Sequence, residues 1–236
     1  MGVNGLKKSI ITVDGPSGSG KGTLCLRLSK ELGFACLDSG ALYRLLGLKV
    51  SQSSKWIHEK SKPSREQILE AEQMARQMDV RFEIQGDKSA VILDGADVTR
   101  TIRTEEVGSF ASQVACLGPV RSALLDFQRD FYTEPGLIAD GRDMGTVVFP
   151  DAPVKFYLSA DPKIRAQRRH DELLAAGKQV NMSAIFKDIV GRDERDTDRE
   201  HAPLKPAEDA VIIDSTSMSA QAVFEQALAV CQQVLN

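Results

Sequence analysis

The chain has little of what would make it secreted, membrane-bound or metal-holding. Its four cysteines, Cys25, Cys36, Cys116 and Cys231, stand far apart with no CxxC pair. Neither a disulfide framework nor a thiolate zinc site follows from that spacing. The four read instead as small buried hydrophobes in a reducing compartment. The three histidines, His58, His170 and His201, make no ligand spacing with them. No apolar run approaches the ~20 residues that a bilayer helix needs. The opening Met-Gly-Val-Asn-Gly lacks the apolar core of a signal peptide. Basic residues are not in excess: 30 Lys and Arg against 33 Asp and Glu give a net charge of −3. That balance argues against bulk nucleic-acid binding. Internal repeats and low-complexity linkers are also missing. A cytoplasmic globular protein is expected, and with no evident apolar seam a monomer. At 236 residues it has room for one sizeable domain with embellishments, or two small ones.

The chain does contain an alternation. Ser9–Val13, Phe34–Leu37, Leu137–Ala139, Val154–Leu158 and Ala210–Ile213 are short apolar runs bounded by Gly, Pro or Asp. Such runs mark parallel strands buried on both faces. Between them, Gly22–Leu32 puts Leu24, Leu28 and Leu32 on one helical face and ends at Gly33, a natural C-cap. Asp161-Pro162 opens a second helix with Asp as N-cap, and Ala220–Leu235 closes the chain. The alternation predicts an α/β parallel sheet with helices on both faces.

Two segments break the rhythm. In 64–103, Ser64 caps a helix carrying Ile68, Leu69, Ala75 and Met78, and Val80–Ile84 then alternates strictly. Turns at Gly86-Asp87 and Asp94-Gly95 lead through Ala90–Leu93 to Val98, a small antiparallel meander. In 161–203, Arg165, Arg168 and Arg169 come early and Arg192, Arg195 and Arg199 late, around Gly177. Two helices joined by a short loop are predicted there.

The sharpest motif is Gly15…Gly20-Lys21, which matches G-x-x-x-x-G-K after a strand and before a helix. Glycines let successive N–H groups point into one hollow. The helix N-terminus adds partial positive charge, and the lysine reaches the β/γ-phosphates. Gly22 stands where the pattern usually has Ser or Thr, so Thr23 offers the nearest magnesium-directed hydroxyl. Asp140, at the end of a strand, is the candidate acid for hydrated Mg²⁺. Asp14, directly before the loop, is expected to support that loop. Asp38-Ser39-Gly40-Ala41-Leu42-Tyr43-Arg44 follows the second strand, at the sheet edge where open α/β folds bind ligands. Arg44 there can clamp a second anion. Phosphoryl transfer asks a protein for positioning and charge neutralisation more than for a base. No catalytic histidine is evident. The guanine-reading N-K-x-D pattern of a GTPase-type switch is missing.

GPSGSGKGT, LDSGALYR, ASQVA (111–115), ADGRDMGTVVFPDAPVKFYL (139–158) and GRDERDTDR (191–199) together resemble bacterial-type cytidylate kinases, from about residue 9 to the C-terminus. The resemblance implies a P-loop kinase with a five-stranded parallel sheet flanked by helices, a small antiparallel insertion and a helical lid. The core would be 1–38, 136–160 and 204–236, the monophosphate-binding region 39–135 with its insertion at 64–103, and the lid 161–203. The implied reaction moves the γ-phosphoryl of ATP to CMP or dCMP, with Mg²⁺. Gly15, Pro16, Ser17, Gly18, Ser19, Gly20, Lys21, Gly22 and Thr23 would cradle the ATP phosphates. Thr23 and, through water, Asp140 would serve the metal. Arg165 and Arg169, one helical turn apart, would share a face toward ATP. Ser39, Arg44 and Arg142 would hold the phosphate of CMP, and Ser112, Arg121 and Asp143 would read its base. Arg192 and Asp196 would meet the acceptor's sugar side. Lys21, Arg142, Arg195 and Arg199 would attend the transfer itself. Another small acceptor such as UMP, or a P-loop regulatory module, are the alternatives.

Overall fold

The structure, a computed structural model, describes residues 9–54, 56, 63–85 and 88–235. At its centre runs strand β1 (Ile10–Asp14), buried at every residue. Strands β6 (Leu137–Gly141) and β7 (Val154–Ser159) flank it, both parallel. Strand β2 (Ala35–Asp38) pairs beyond β6, and β8 (Val211–Asp214) beyond β7. The order is β2-β6-β1-β7-β8. Burial on both faces of β1, β6 and β7 explains their unbroken apolar runs, whereas the edge strands β2 and β8 are only partly buried. Ile11, Val13, Ile138, Phe156 and Leu158 share one core with Leu24 and Leu28 of helix α1 (Lys21–Leu32) and Val223 and Ala227 of helix α8 (Ala220–Leu235). All five expected strands are present, each running a residue or two further at its carboxyl end. The acids read as boundaries belong to the ladder: Asp38 is in register with Asp140, and Asp14 with Gly141. Gly33 caps α1 in the left-handed conformation, as expected.

The chain divides into two compact units, one formed by the described residues up to Asp38 together with Arg129 onward, the other by Ser39–Gln128. The first also carries α6 (Pro162–Ala175) and α7 (Met182–Asp198), which pack on one another. Asp161 caps α6 by accepting the Lys163 N–H at 2.7 Å, with Pro162 in the first turn. Asn181 caps α7.

The second unit begins with α2 (Ser39–Ser51) and α3 (Arg65–Gln77). Ser64 and Gln67 form a reciprocal capping box at the start of α3. The antiparallel sheet follows as β3 (Val80–Gln85), β4 (Lys88–Leu93) and β5 (Ala96–Asp97). Asp94 and Gly95 turn β4 into β5 with φ of 50° and 85°, the paired positive angles of a type I′ hairpin turn. The Gly86-Asp87 turn and His58 lie outside the described residues. A short 3₁₀ turn (Thr101–Arg103) leads to α4 (Glu105–Val114) and α5 (Gly118–Arg129).

Helices α2 and α4 approach closely at Gly47. A Cβ there would lie 2.7 Å from the Ala111 nitrogen and 2.9 Å from the Val107 carbonyl oxygen. The cysteines are less uniform than expected: Cys25 and Cys231 are buried, Cys36 is intermediate and Cys116 is exposed. Cys116 follows the end of α4, where its thiol donates to the Ser112 carbonyl. No helix among the described residues is long and apolar enough to cross a membrane.

The Gly47 crossing yields a stability prediction. Gly47→Ala gains helix propensity but drives a methyl into backbone that cannot step aside, so a net loss of about 1–3 kcal/mol is expected. Urea unfolding measures it; a midpoint at or above that of the wild type would contradict the close crossing.

Candidate active site

The phosphate loop turns between β1 and α1. Gly15, at φ 147°, passes so close to β7 that a Cβ would sit 2.0 Å from the Leu158 carbonyl oxygen. Gly18 and Gly20 take φ of 77° and 98°, angles open to glycine at little cost. The loop's carbonyls are held. Pro16 O accepts from Ser19 Oγ at 3.0 Å and Lys21 Nζ at 2.8 Å. Ser17 O accepts from Arg165 at 2.9 Å, and Ser19 O from Ser215 Oγ at 2.9 Å. A planar trans peptide points its N–H opposite its C=O. The Gly18 and Gly20 N–H groups are therefore aimed away from Arg165 and Ser215.

Lys21 is 6% exposed and lies 3.9 Å from the Asp140 carboxylate. Burial lowers its pKa to about 8, with the Arg142 charge adding to the effect. Burial likewise raises Asp140 to about 7, against the pull of Lys21. A Cβ on Gly22 would stand 3.7 Å from Asp140 Oδ2, so position 22 faces the acid with no side chain between. Thr23 is exposed. Asp14 departs from expectation. Its carboxylate accepts the Met144 and Gly145 N–H groups, both at 2.8 Å. It thus fixes the turn after β6 instead of the phosphate loop. A buried carboxylate needs fixed donors, and those two peptides supply them.

That turn delivers Arg142 and Asp143. Arg142 Nε donates to Asp196 of α7 at 2.9 Å. Asp143 lies 3.6 Å from Arg199, and both side chains are 4% exposed. The structure thus joins Lys21, Asp140, Arg142, Asp143, Asp196 and Arg199 at one edge of the first unit. Arg192 pairs with Asp188 one turn back at 2.9 Å, and Arg195 is exposed on the same helix.

The α6 arginines differ from the shared face expected of them. Arg165 is 2% exposed and turned inward. Its guanidinium bonds Ser17 O, Ala160 O and both carboxylate oxygens of Asp193. Arg169 is half-buried and pairs with Glu172 at 2.9 Å. The arginine that the charge pattern did not single out is Arg168. It bonds Ser215 Oγ at 3.2 Å and Ser215 O at 2.6 Å. Together with Ser19, Gly20, Thr23, Ser215 and Met218 it lines a cavity of about 220 Å³ beside the loop. Its spacing from Arg165 gave no hint, because only the fold separates the two directions.

In the second unit, Ser39 is buried at the start of α2. Arg44 donates to the Ile102 and Thr104 carbonyls at 2.8 and 3.3 Å. Arg121 of α5 bonds Ala115 O at 3.1 Å and lies over the Tyr43 ring at 5.5 Å. Ser112 sits on α4, one residue past the Gly47 crossing.

Comparison with known proteins adds to this geometry. The profile of the family described as Cytidylate kinase matches residues 11–233. A cytidylate kinase of Pseudomonas syringae pv. tomato is 51% identical over 225 residues, covering 94% of this chain and 95% of the relative. One from Yersinia enterocolitica is 52% identical over 226 residues, covering 96% and 95%. Among solved structures, a gluconokinase from Sinorhizobium meliloti 1021 aligns with a TM-score of 0.44 at 14% identity, over 96% of this chain and 93% of that one.

The Asp14 carboxyl ties pH to stability. Burial raises its pKa from 3.8 to about 6, against the two backbone N–H groups that lower it. Between those values the folded chain holds a proton that the unfolded chain has lost. The contribution of Asp14 is therefore full below pH 3.8 and is lost as pH rises through 6. It amounts to about 3 kcal/mol across the window. Asp14→Asn removes this dependence, so wild-type stability relative to the variant is expected to fall from pH 4 to pH 7 in ligand-free urea titrations. Parallel curves would refute the assignment.

Proposed function

The chain belongs to the cytidylate kinase family, and on that footing we propose that it transfers the γ-phosphoryl group of ATP to CMP or dCMP, giving ADP and the nucleoside diphosphate. The observation that carries the reading is the carboxyl end of β6. Within four residues it presents Asp140 to the phosphate-loop lysine, and Arg142 and Asp143 to α7 and the residue that follows it. A strand end shared in this way suits an enzyme that must bring a donor and an acceptor phosphate together.

On the donor side, residues 15–23 cradle the phosphates with N–H groups and Lys21. Arg168 and Arg169 add cations from α6, and the cavity beside Thr23 and Arg168 takes the nucleoside. Asp140 and the Thr23 hydroxyl are hard oxygen donors, the kind Mg²⁺ prefers, and Mg²⁺ is commonly held by one or two protein oxygens plus phosphates and water. Among the described residues no group of three or more His, Cys, Asp or Glu side chains is gathered for a metal. Once bound, the ion would neutralise charge on the β- and γ-oxygens.

On the acceptor side, Ser39, Arg44 and Arg142 hold the phosphate, and Ser112, Arg121 and Asp143 read the base. Arg192 and Asp196 meet the sugar, and Arg195 and Arg199 attend the transferring group. Arginine forks suit phosphate oxygens, and the gathered cations offset the charge of two nucleotides. The Asp143 carboxylate accepts from the exocyclic amine of cytosine, whereas uracil presents a carbonyl that it repels. Closure of 161–203 as a lid excludes water from the transfer. The protein acts as a monomer in the cytoplasm.

An ADP-release assay over CMP, dCMP, UMP and AMP tests the reading. CMP and dCMP should exceed the others in kcat/KM by roughly tenfold or more. Equal turnover of UMP or AMP would overturn it. Arg142→Ala should lower kcat/KM for CMP roughly tenfold to a hundredfold, equivalent to about 1.5–3 kcal/mol. Asp143→Ala should narrow the preference for CMP over UMP; an unchanged ratio of the two kcat/KM values removes Asp143 from base reading.

A further inference from the structure

We propose that Arg165 and Asp193 act as a pair of positioning residues for the phosphate loop, with Asp193 setting the guanidinium that orients the Ser17–Gly18 peptide. Neither touches nucleotide in this role, which rests on reading residues 15–23 as the ATP site. Arg165 lies on α6, Asp193 on α7 and Ser17 in the loop, so three segments distant in sequence meet in one side chain. Asp193 accepts from both terminal nitrogens, a fork that fixes the plane of the guanidinium. Ala160 O takes Nε at 2.8 Å and fixes its depth. With plane and depth set, NH1 meets Ser17 O at 2.9 Å. The Gly18 N–H of the same planar peptide then faces the opposite way, toward where a phosphate would sit. A cation on the carbonyl also polarises that peptide, which strengthens its N–H as a donor.

Stability alone is a poor reason for this pair. A well-packed apolar pair could hold α6 against α7 as firmly as a buried ion pair does. It could not donate to Ser17 O. Room is tight as well: a Cβ on Gly18 would lie 3.3 Å from Arg165 Cβ, so loop and α6 are in contact at this point. Asp193 stands beside Arg192 and one turn before Asp196, the partner of Arg142. The helix that fixes Arg165 against the donor loop is thus the one that carries candidates for the acceptor side.

The test uses the full-length enzyme with Asp193→Asn, Arg165→Lys and the double variant. Steady-state kinetics give KM for ATP and for CMP separately, and calorimetry gives ATP·Mg²⁺ affinity without turnover. Each single variant should raise the ATP KM and dissociation constant about tenfold while leaving the CMP KM within about twofold. The double variant should be scarcely worse than either single one, because the two residues act through one contact. Unchanged ATP affinity in folded variants, parallel rises for both substrates, or additive effects would each overturn the proposal. If Asp193→Asn does not fold, Arg165→Lys decides alone, since it keeps the buried charge; collapse of both would leave the pair a folding element and nothing more. A wild-type protein that fails to bind ATP would sink the proposed function instead. ATP binding by the wild type with unshifted variants sinks only the positioning role.

Discussion

A loop that offers its N–H groups to a ligand must dispose of its carbonyls. The peptide is planar and trans, so the two point opposite ways, and a carbonyl in a protein interior needs a donor. Here the donors come from Ser19, Lys21, Arg165 and Ser215. Much else in the first unit follows from supplying them. Helix α6 must lie against the loop to deliver Arg165, and the segment after β8 must return to it to deliver Ser215. The chain must also pass β7 at Gly15 with no side chain at all. The phosphate hollow is therefore a property of the whole sheet edge, although its sequence motif is short.

The same edge shows how a protein stores cations for anions that have yet to arrive. An uncompensated buried charge is costly. Lys21 stands by Asp140, Arg142 by Asp196, Arg199 by Asp143 and Arg165 by Asp193. In three of these pairs, on the proposed function, a phosphate, a metal or a base would become a partner of one member. In the fourth both members face protein, which sets Arg165 apart from its neighbours.

The five-stranded sheet was legible because short apolar runs mark its strands, most fully where both faces are buried, and the phosphate loop because glycine and lysine spacing is local. The Asp161 and Ser64 caps and the Asp94-Gly95 turn were legible for the same reason. What escaped was long-range. The strands outran their apolar runs because Asp14, Asp38 and Asp140 look like turn residues, yet pair within the ladder. Asp14 was assigned to its neighbour in sequence, while its partners lie 130 and 131 residues away. Arg165, Arg168 and Arg169 look alike as text, and only packing turns one inward, one to the cavity and one to Glu172. Gly47 carried no signal, since a glycine in a helix announces a close crossing only when the second helix is known.

The order in which these parts are synthesised has a consequence of its own. The phosphate loop is made well before its donors: the donor to Ser17 O comes 148 residues later and the donor to Ser19 O 196 residues later. At roughly 5–20 residues per second, a ribosome needs on the order of tens of seconds to cover that interval. For most of it, the apolar strand Ile10–Asp14 has neither of its sheet neighbours. The nascent chain must keep that strand from pairing elsewhere until β6 and β7 emerge. The segment from Ile10 to Asp38 thus waits for β6 before either of its strands can pair, well before any nucleotide could help to hold it.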